Sequence, residues 1–128
     1  MFTKSNNFIK FVMRAQKVGK RAGKAGLDFA DVEGAKQALL SELEEFSLAY
    51  KNGNKEETEK ELGDLLFSAV NVGRKAGCDC EKALKESCER FTKRFTLAES
   101  KAIADGKVVT ELSEKEWDEY YQKAKSEL

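Results

Sequence analysis

Two pairs of carboxylates stand at helical spacing in this chain, Glu42 with Glu45 and Glu61 with Asp64. Residues three apart occupy neighbouring positions on one helix face, so each pair offers its oxygens in one direction. Between the pairs lies a turn signal, Lys51-Asn52-Gly53-Asn54, short enough to make the flanking helices antiparallel neighbours. Carboxylates gathered without a compensating base repel one another. A divalent cation relieves that repulsion, and oxygen-only ligands suit Mg²⁺, Mn²⁺ or Ca²⁺.

The competing reading is a pair of solvated glutamate-rich helix faces. The helical wheel separates the two. Leu39, Leu43, Phe46 and Tyr50 form the apolar stripe of the first helix of the hairpin, with Glu42 and Glu45 on one shoulder among Ala38 and Ala49. Leu62, Leu65, Leu66, Ala69 and Gly73 form the stripe of the second, with Glu61, Asp64 and Ser68 on the shoulder of the same rotational sense. Antiparallel packing, stripe to stripe, brings same-sense shoulders to the same side. The pattern therefore favours four carboxylates converging on a cation beside the core.

Composition narrows the chemistry further. At 128 residues the chain is expected to form a single domain over 1–128. The absence of proline and the 36% charged residues favour an all-helical soluble protein. A net charge of zero gives no argument for nucleic acid or for a membrane surface as partner. No stretch is long and apolar enough to span a bilayer, and the N-terminal residues make no convincing signal peptide, so the expected location is cytoplasmic. Cys78, Cys80 and Cys88 are an odd number of thiols, expected to be reduced, and they lack the fourth soft ligand and the spacing of a zinc site. The chain has no histidine. That excludes Ser-His and Cys-His nucleophilic catalysis, HExxH zinc peptidases and ExxH di-iron bundles. Any catalysis falls to carboxylates, lysines and arginines.

The elements that must position these groups are read from periodicity and caps. A first helix is expected over residues 6–22, with Phe8, Phe11, Val12, Ala15 and Val18 at helical spacing, ended by Gly23 and Gly26. Asp31 caps a second helix running to about Lys51. Asn54, with Glu57 three residues on, opens a third that stops at Gly77. Asp79 caps a fourth, from about Cys80 to Ala104. Residues 107–110 read as an extended connector. Ser113 with Glu116 makes a capping box that opens a last helix through Trp117, Tyr120 and Ala124. The expected fold is all-α, a helical bundle of about five helices with a central antiparallel helix hairpin.

On the fourth helix Arg90 and Arg94, four apart, share a face. Two guanidinium groups there suit a phosphate chain or, equally, carboxylates of neighbouring helices. Gly19, Gly23 and Gly26 make no phosphate loop, since no GKS or GKT follows. An acidic cation site with arginines and lysines is the equipment of metal-dependent phosphohydrolases.

The same residues resemble the MazG-type family of all-α nucleoside triphosphate pyrophosphohydrolases, whose signature is EExxE followed on the next helix by ExxD. Here the matching residues are Ser41-Glu42-Leu43-Glu44-Glu45 and Glu61-Leu62-Gly63-Asp64, continuing through Leu65-Leu66-Phe67, Val70-Asn71 and Arg90-Phe91-Thr92-Lys93-Arg94-Phe95. Arg14 to Arg21, Gly26-Leu27-Asp28-Phe29 and Trp117 follow the order of the C-terminal catalytic domain of MazG proteins. The resemblance implies hydrolysis of a nucleoside triphosphate to monophosphate and pyrophosphate, with Mg²⁺ required and Mn²⁺ an alternative. It implies Glu42, Glu45, Glu61 and Asp64 as metal ligands and catalytic residues, with a carboxylate of the cluster taking the proton of the attacking water. It implies Lys17, Arg90 and Arg94 on the phosphates, Trp117 against the base, and a homodimer or larger homo-oligomer.

One position departs from that signature: its first glutamate is Ser41 here. On the wheel Ser41 points almost opposite the apolar stripe, and Glu44 lies on the other shoulder. The carboxylate lost is thus an outer one. A second reading follows from it, a non-catalytic helical dimerisation or nucleotide-sensing module that keeps the bundle with a weakened site. Turnover separates the two.

Overall fold

The computed structural model describes residues 10–128, and the expectation for Phe8 lies outside them. Five α-helices follow one another: α1 (Phe11–Lys24), α2 (Val32–Lys51), α3 (Lys55–Lys75), α4 (Cys80–Ala104) and α5 (Glu114–Glu127). There is no strand among the described residues. The all-α class and the boundaries of α2 to α5 follow the periodicity and the caps, whereas α1 starts after Lys10 rather than at residue 6. Asp31 accepts a hydrogen bond from the Gly34 N–H at 2.8 Å, Asn54 from that of Glu57 at 3.0 Å, and Asp79 from that of Lys82 at 3.0 Å. Gly53 turns the α2–α3 hairpin with φ of +73°, a conformation that an L side chain resists.

The chain forms two compact units, Met1–Ala83 and Leu84–Leu128. In the first, α3 is the central helix, packing against α2 and against α1. Polar contacts pin α1 in place. The Gln16 side chain donates to the Cys78 carbonyl (2.9 Å) and accepts from the Cys80 N–H (2.8 Å), joining α1 to the turn after α3. Asp28, in the connector after α1, takes a forked pair of hydrogen bonds from Arg74, at 3.0 and 2.6 Å, with Lys75 at 3.5 Å. The Arg74 side chain is only 12% exposed and that of Asp28 22%, so this is no ordinary surface ion pair.

Two features of α1 and the hairpin differ from the sequence expectation. The helix α1 runs through Gly23 to Lys24, and Gly19 and Gly23 serve as clearance along its side. A Cβ at Gly19 would lie 2.6 Å from the Asn71 side-chain oxygen and 2.7 Å from Arg74 Nε; one at Gly23 would lie 2.7 Å from an Asp28 oxygen. In the hairpin the contact face is rotated from the apolar stripe. The covered positions of α2 are Ala35, Ala38, Leu39, Glu42, Phe46 and Ala49, while Leu43 and Tyr50 are exposed. On α3, Glu61, Leu65, Ser68 and Asn71 are covered, and Leu62 and Leu66 are exposed. Small side chains allow the closest helix approach, so the alanine flank of α2 is covered and the leucines beside it are left open.

In the second unit Ala98 and Ala102 of α4 pack on Tyr120 and Ala124 of α5, with Leu97, Val109, Leu112 and Trp117 around them. The connector is extended only as far as Val108 and then tightens into a 3₁₀ helix, Val109–Glu111. Residues three apart eclipse in that conformation, which lets Val109 and Leu112 both reach the same core. The capping box at Ser113 and Glu116 forms in full, and Lys107 adds a hydrogen bond at 3.0 Å. The Ser113 N–H and that lysine hold the Glu116 carboxyl down at about 2.

Replacing Gly19 by alanine should therefore destabilise the protein. Overpacking costs about 1–3 kcal/mol, against about 1 kcal/mol gained in helix propensity. Gly63, mid-helix with open space where its Cβ would stand, should respond oppositely, G63A gaining about 0.5–1 kcal/mol. Denaturant melts of the two variants test this. The Asp28 carboxyl is held well below the usual range, chiefly by hydrogen bonding to Arg74. A depressed carboxylate stabilises the fold above its unfolded value, about 3.9, and loses that contribution as pH falls below it. Thermal melts of D28N should lie below wild type at neutral pH, and the gap should close in acid.

Candidate metal centre

Glu61 is only 6% exposed, on the face of α3 that the rest of the first unit covers. A carboxylate in such a place needs a charge partner. What surrounds it is more carboxylate: oxygens of Glu42, Glu61 and Asp64 all lie within 4.8 Å of one another. Glu42 reaches the seam from α2, where alanines on either side leave room for it. Glu61 and Asp64, three apart on α3, supply the other two, and Asp64 stands exposed at the rim. The Glu42 carboxyl is pushed above its ordinary value, first by burial and then by the charges of Asp64 and Glu61, with a smaller push from Glu45.

Of the four carboxylates singled out by spacing, the structure gathers Glu42, Glu61 and Asp64. Glu45 is exposed and outside that group, although its charge reaches Glu42. Ser41 and Glu44 are exposed. Lys17 is exposed on α1 in the same unit. Arg90, exposed, and Arg94, half-buried, belong to the second unit, as does Trp117. There Trp117 stacks on Phe95 with ring centroids 5.6 Å apart, and with Phe91 and Tyr121 these rings line an open cleft of about 750 Å³.

The spacing argument missed a base beside the acids. Lys60 Nζ lies 3.2 Å from Glu61 Oε1 and 3.4 Å from Asp64 Oδ2, and both carboxylates raise its pKa. The i,i+4 relation of Lys60 to Asp64 was the available signal. A second feature not foreseen is a cavity of about 270 Å³ in the first unit, where Val18 and Ala22 of α1 and Phe29 face Phe67, Asn71 and Arg74 of α3.

Three carboxylates converging on the helix hairpin of an all-α protein make a group that could hold a hard divalent cation. Comparison with known proteins makes the family specific. Residues 30–96 match the MazG nucleotide pyrophosphohydrolase domain, and the chain belongs to that family. It is 36% identical to the nucleoside triphosphate pyrophosphohydrolase/pyrophosphatase MazG of Thermotoga maritima over 94% of its own length and 46% of that protein's. It is 31% identical to a nucleoside triphosphate pyrophosphohydrolase of Escherichia coli, over 89% of this chain and 44% of the relative. The chain thus spans less than half the length of these curated relatives.

Around an octahedral Mg²⁺ ion, with bonds of about 2.1 Å, neighbouring oxygens stand about 3.0 Å apart and opposite ones about 4.2 Å. Oxygens within 4.8 Å of one another must therefore draw together, by side-chain rotation, to share one ion. If the cluster holds such an ion, saturating Mn²⁺ should raise the melting temperature. The gain approaches about 2.7 kcal/mol at a hundredfold excess over the dissociation constant. E42Q should melt no lower than wild type in chelator, because it relieves like-charge repulsion, and should show little of the Mn²⁺ gain. Differential scanning calorimetry with and without Mn²⁺ checks both.

Proposed function

We propose that this chain is the catalytic domain of a nucleoside triphosphate pyrophosphohydrolase, converting a nucleoside triphosphate and water to the monophosphate and pyrophosphate. The observation that carries this reading is the buried Glu61 carboxylate with Glu42 and Asp64 converging on it. The family and the names of the relatives support the reaction class. Glu42, Glu61 and Asp64 hold the cation and Glu45 completes the set. The cation is Mg²⁺, with Mn²⁺ able to take its place. When bound, it supplies charge neutralisation on the phosphate oxygens and on the leaving pyrophosphate.

The chain's own residues do the rest. A carboxylate of the cluster takes the proton that water gives up on attack. Lys17, Arg90 and Arg94 bind the phosphates, and Trp117, with a stacking face in an open cleft, packs against the base. The domain we propose spans 1–128.

The assembly we propose is a homodimer or a larger homo-oligomer. Its support is the apolar surface: Leu48 is 58% exposed, Leu66 59% and Tyr50 73%, with Leu40, Leu43 and Leu62 also open. No helix among the described residues is long and apolar enough to cross a membrane. We place the protein in the cytoplasm, acting on the nucleotide pool in a house-cleaning role, with neither nucleic acid nor a membrane as partner.

Pyrophosphate release from a panel of canonical and modified triphosphates tests the proposal. Release should require Mg²⁺, and E61Q should lower it at least about a hundredfold, since even outer-shell partners of metal ligands cost 10–100-fold. Absence of release from every triphosphate, with the protein folded and binding Mn²⁺, would favour the non-catalytic module to which Ser41 points.

A further inference from the structure

We propose that Lys60 is a resident counter-ion of the carboxylate cluster, competing with the divalent cation for Glu61 and Asp64 and so setting the affinity of the site. The inference rests on the metal-site reading above and goes beyond it by assigning a residue to the control of loading.

The lysine meets Asp64 at the ordinary i,i+4 spacing and reaches the carboxylate of its own neighbour as well. Adjacent residues on a helix diverge by about 100°, so Lys60 and Glu61 do not naturally face each other. Glu61 points into covered space, its side chain 8% exposed, while the Lys60 side chain is 62% exposed. The ammonium nevertheless lies across the helix surface, within 3.2 Å of Glu61 Oε1 and 3.4 Å of Asp64 Oδ2. These two residues, with Glu42, are the three whose oxygens converge. No other lysine or arginine makes an ion pair with any of the three among the described residues.

A divalent ion bonded to the same carboxylates at about 2.1 Å would stand within a few ångströms of that ammonium. Two cations so close repel, and the lysine is the one able to leave. Its four-carbon stem is flexible and already in solvent, whereas the Glu61 carboxylate is covered. Loading the site therefore breaks two ion pairs. Without metal, the same ion pairs offset the repulsion of the acids. Lys60 should then do two opposite things: steady the metal-free protein and weaken its hold on metal. A lysine with a merely structural role would do only the first.

Calorimetric titration of the full chain with Mn²⁺ at low salt tests this, on wild type, K60Q, K60R and K55Q. Lys55 lies at the exposed start of α3 and makes no ion pair among the described residues, so K55Q controls for the charge change alone. K60Q should bind Mn²⁺ roughly three- to tenfold more tightly, as loss of two exposed ion pairs allows. It should also melt lower than wild type in chelator. Added salt should narrow the affinity gap, and K60R and K55Q should stay near wild type. Equal or weaker binding by K60Q, or a gain in K55Q as large as in K60Q, would overturn the proposal. Failure of both wild type and K60Q to bind Mn²⁺ while melting cooperatively would remove the metal site itself, and this inference with it.

Discussion

A carboxylate held out of water is the constraint on which the first unit depends. Glu61 is one of the few buried residues of α3, and the others, Ser68 and Asn71, are polar as well. Burying charge is unfavourable unless opposite charge is supplied. The surroundings of Glu61 supply only part of it, through one exposed lysine, and add two more acids. A helix face of this kind cannot be packed as a hydrophobic core. It can be packed with alanine, which brings backbones close, leaves space for oxygens, and adds no bulk that would block an ion.

That solution has consequences for how the rest holds together. With Ala35, Ala38 and Ala49 covered on α2, the larger side chains Leu40, Leu43, Leu48 and Tyr50 are left outside. No large side chain in the described residues is fully buried. Polar pins then carry more of the architecture than is usual. Asp28 with Arg74, and Gln16 with the backbone around Cys80, fix α1 to α3 and to the turn after it. Gly19 and Gly23 are part of the same arrangement, since any larger residue there would occupy the space of Asn71, Arg74 and Asp28. The uncovered leucines fit a fold whose apolar burial is completed by a second copy, as we propose.

The carboxylate cluster separates cost from use. Like charges gathered in one place destabilise the metal-free chain, and the Glu42 carboxyl is pushed above its ordinary value by burial first and then by the charges of Asp64 and Glu61. The same arrangement would suit the divalent ion we propose, whose binding would replace repulsion with coordination. Ser41 does not alter this balance, because it is exposed and outside the group of three.

Much of the fold was legible in the residues themselves. Caps at Asp31, Asn54, Asp79 and Ser113 are local interactions, formed within four residues, so they mark helix starts without knowledge of any other element. Gly53 likewise sets the hairpin turn through its own backbone freedom. The pairing of Glu42 with Glu61 and Asp64 could be anticipated because a short turn forces antiparallel neighbours. The rotation of each helix about its own axis was decided only in three dimensions. It depends on which side chains permit closest approach, and the alanines prevailed over the leucines. For the same reason the sequence could not show that Glu61 would be buried while Glu45 stayed in water, or that Lys60 would lie across the acids. Periodicity places residues on a helix; only packing decides which of its faces turns inward.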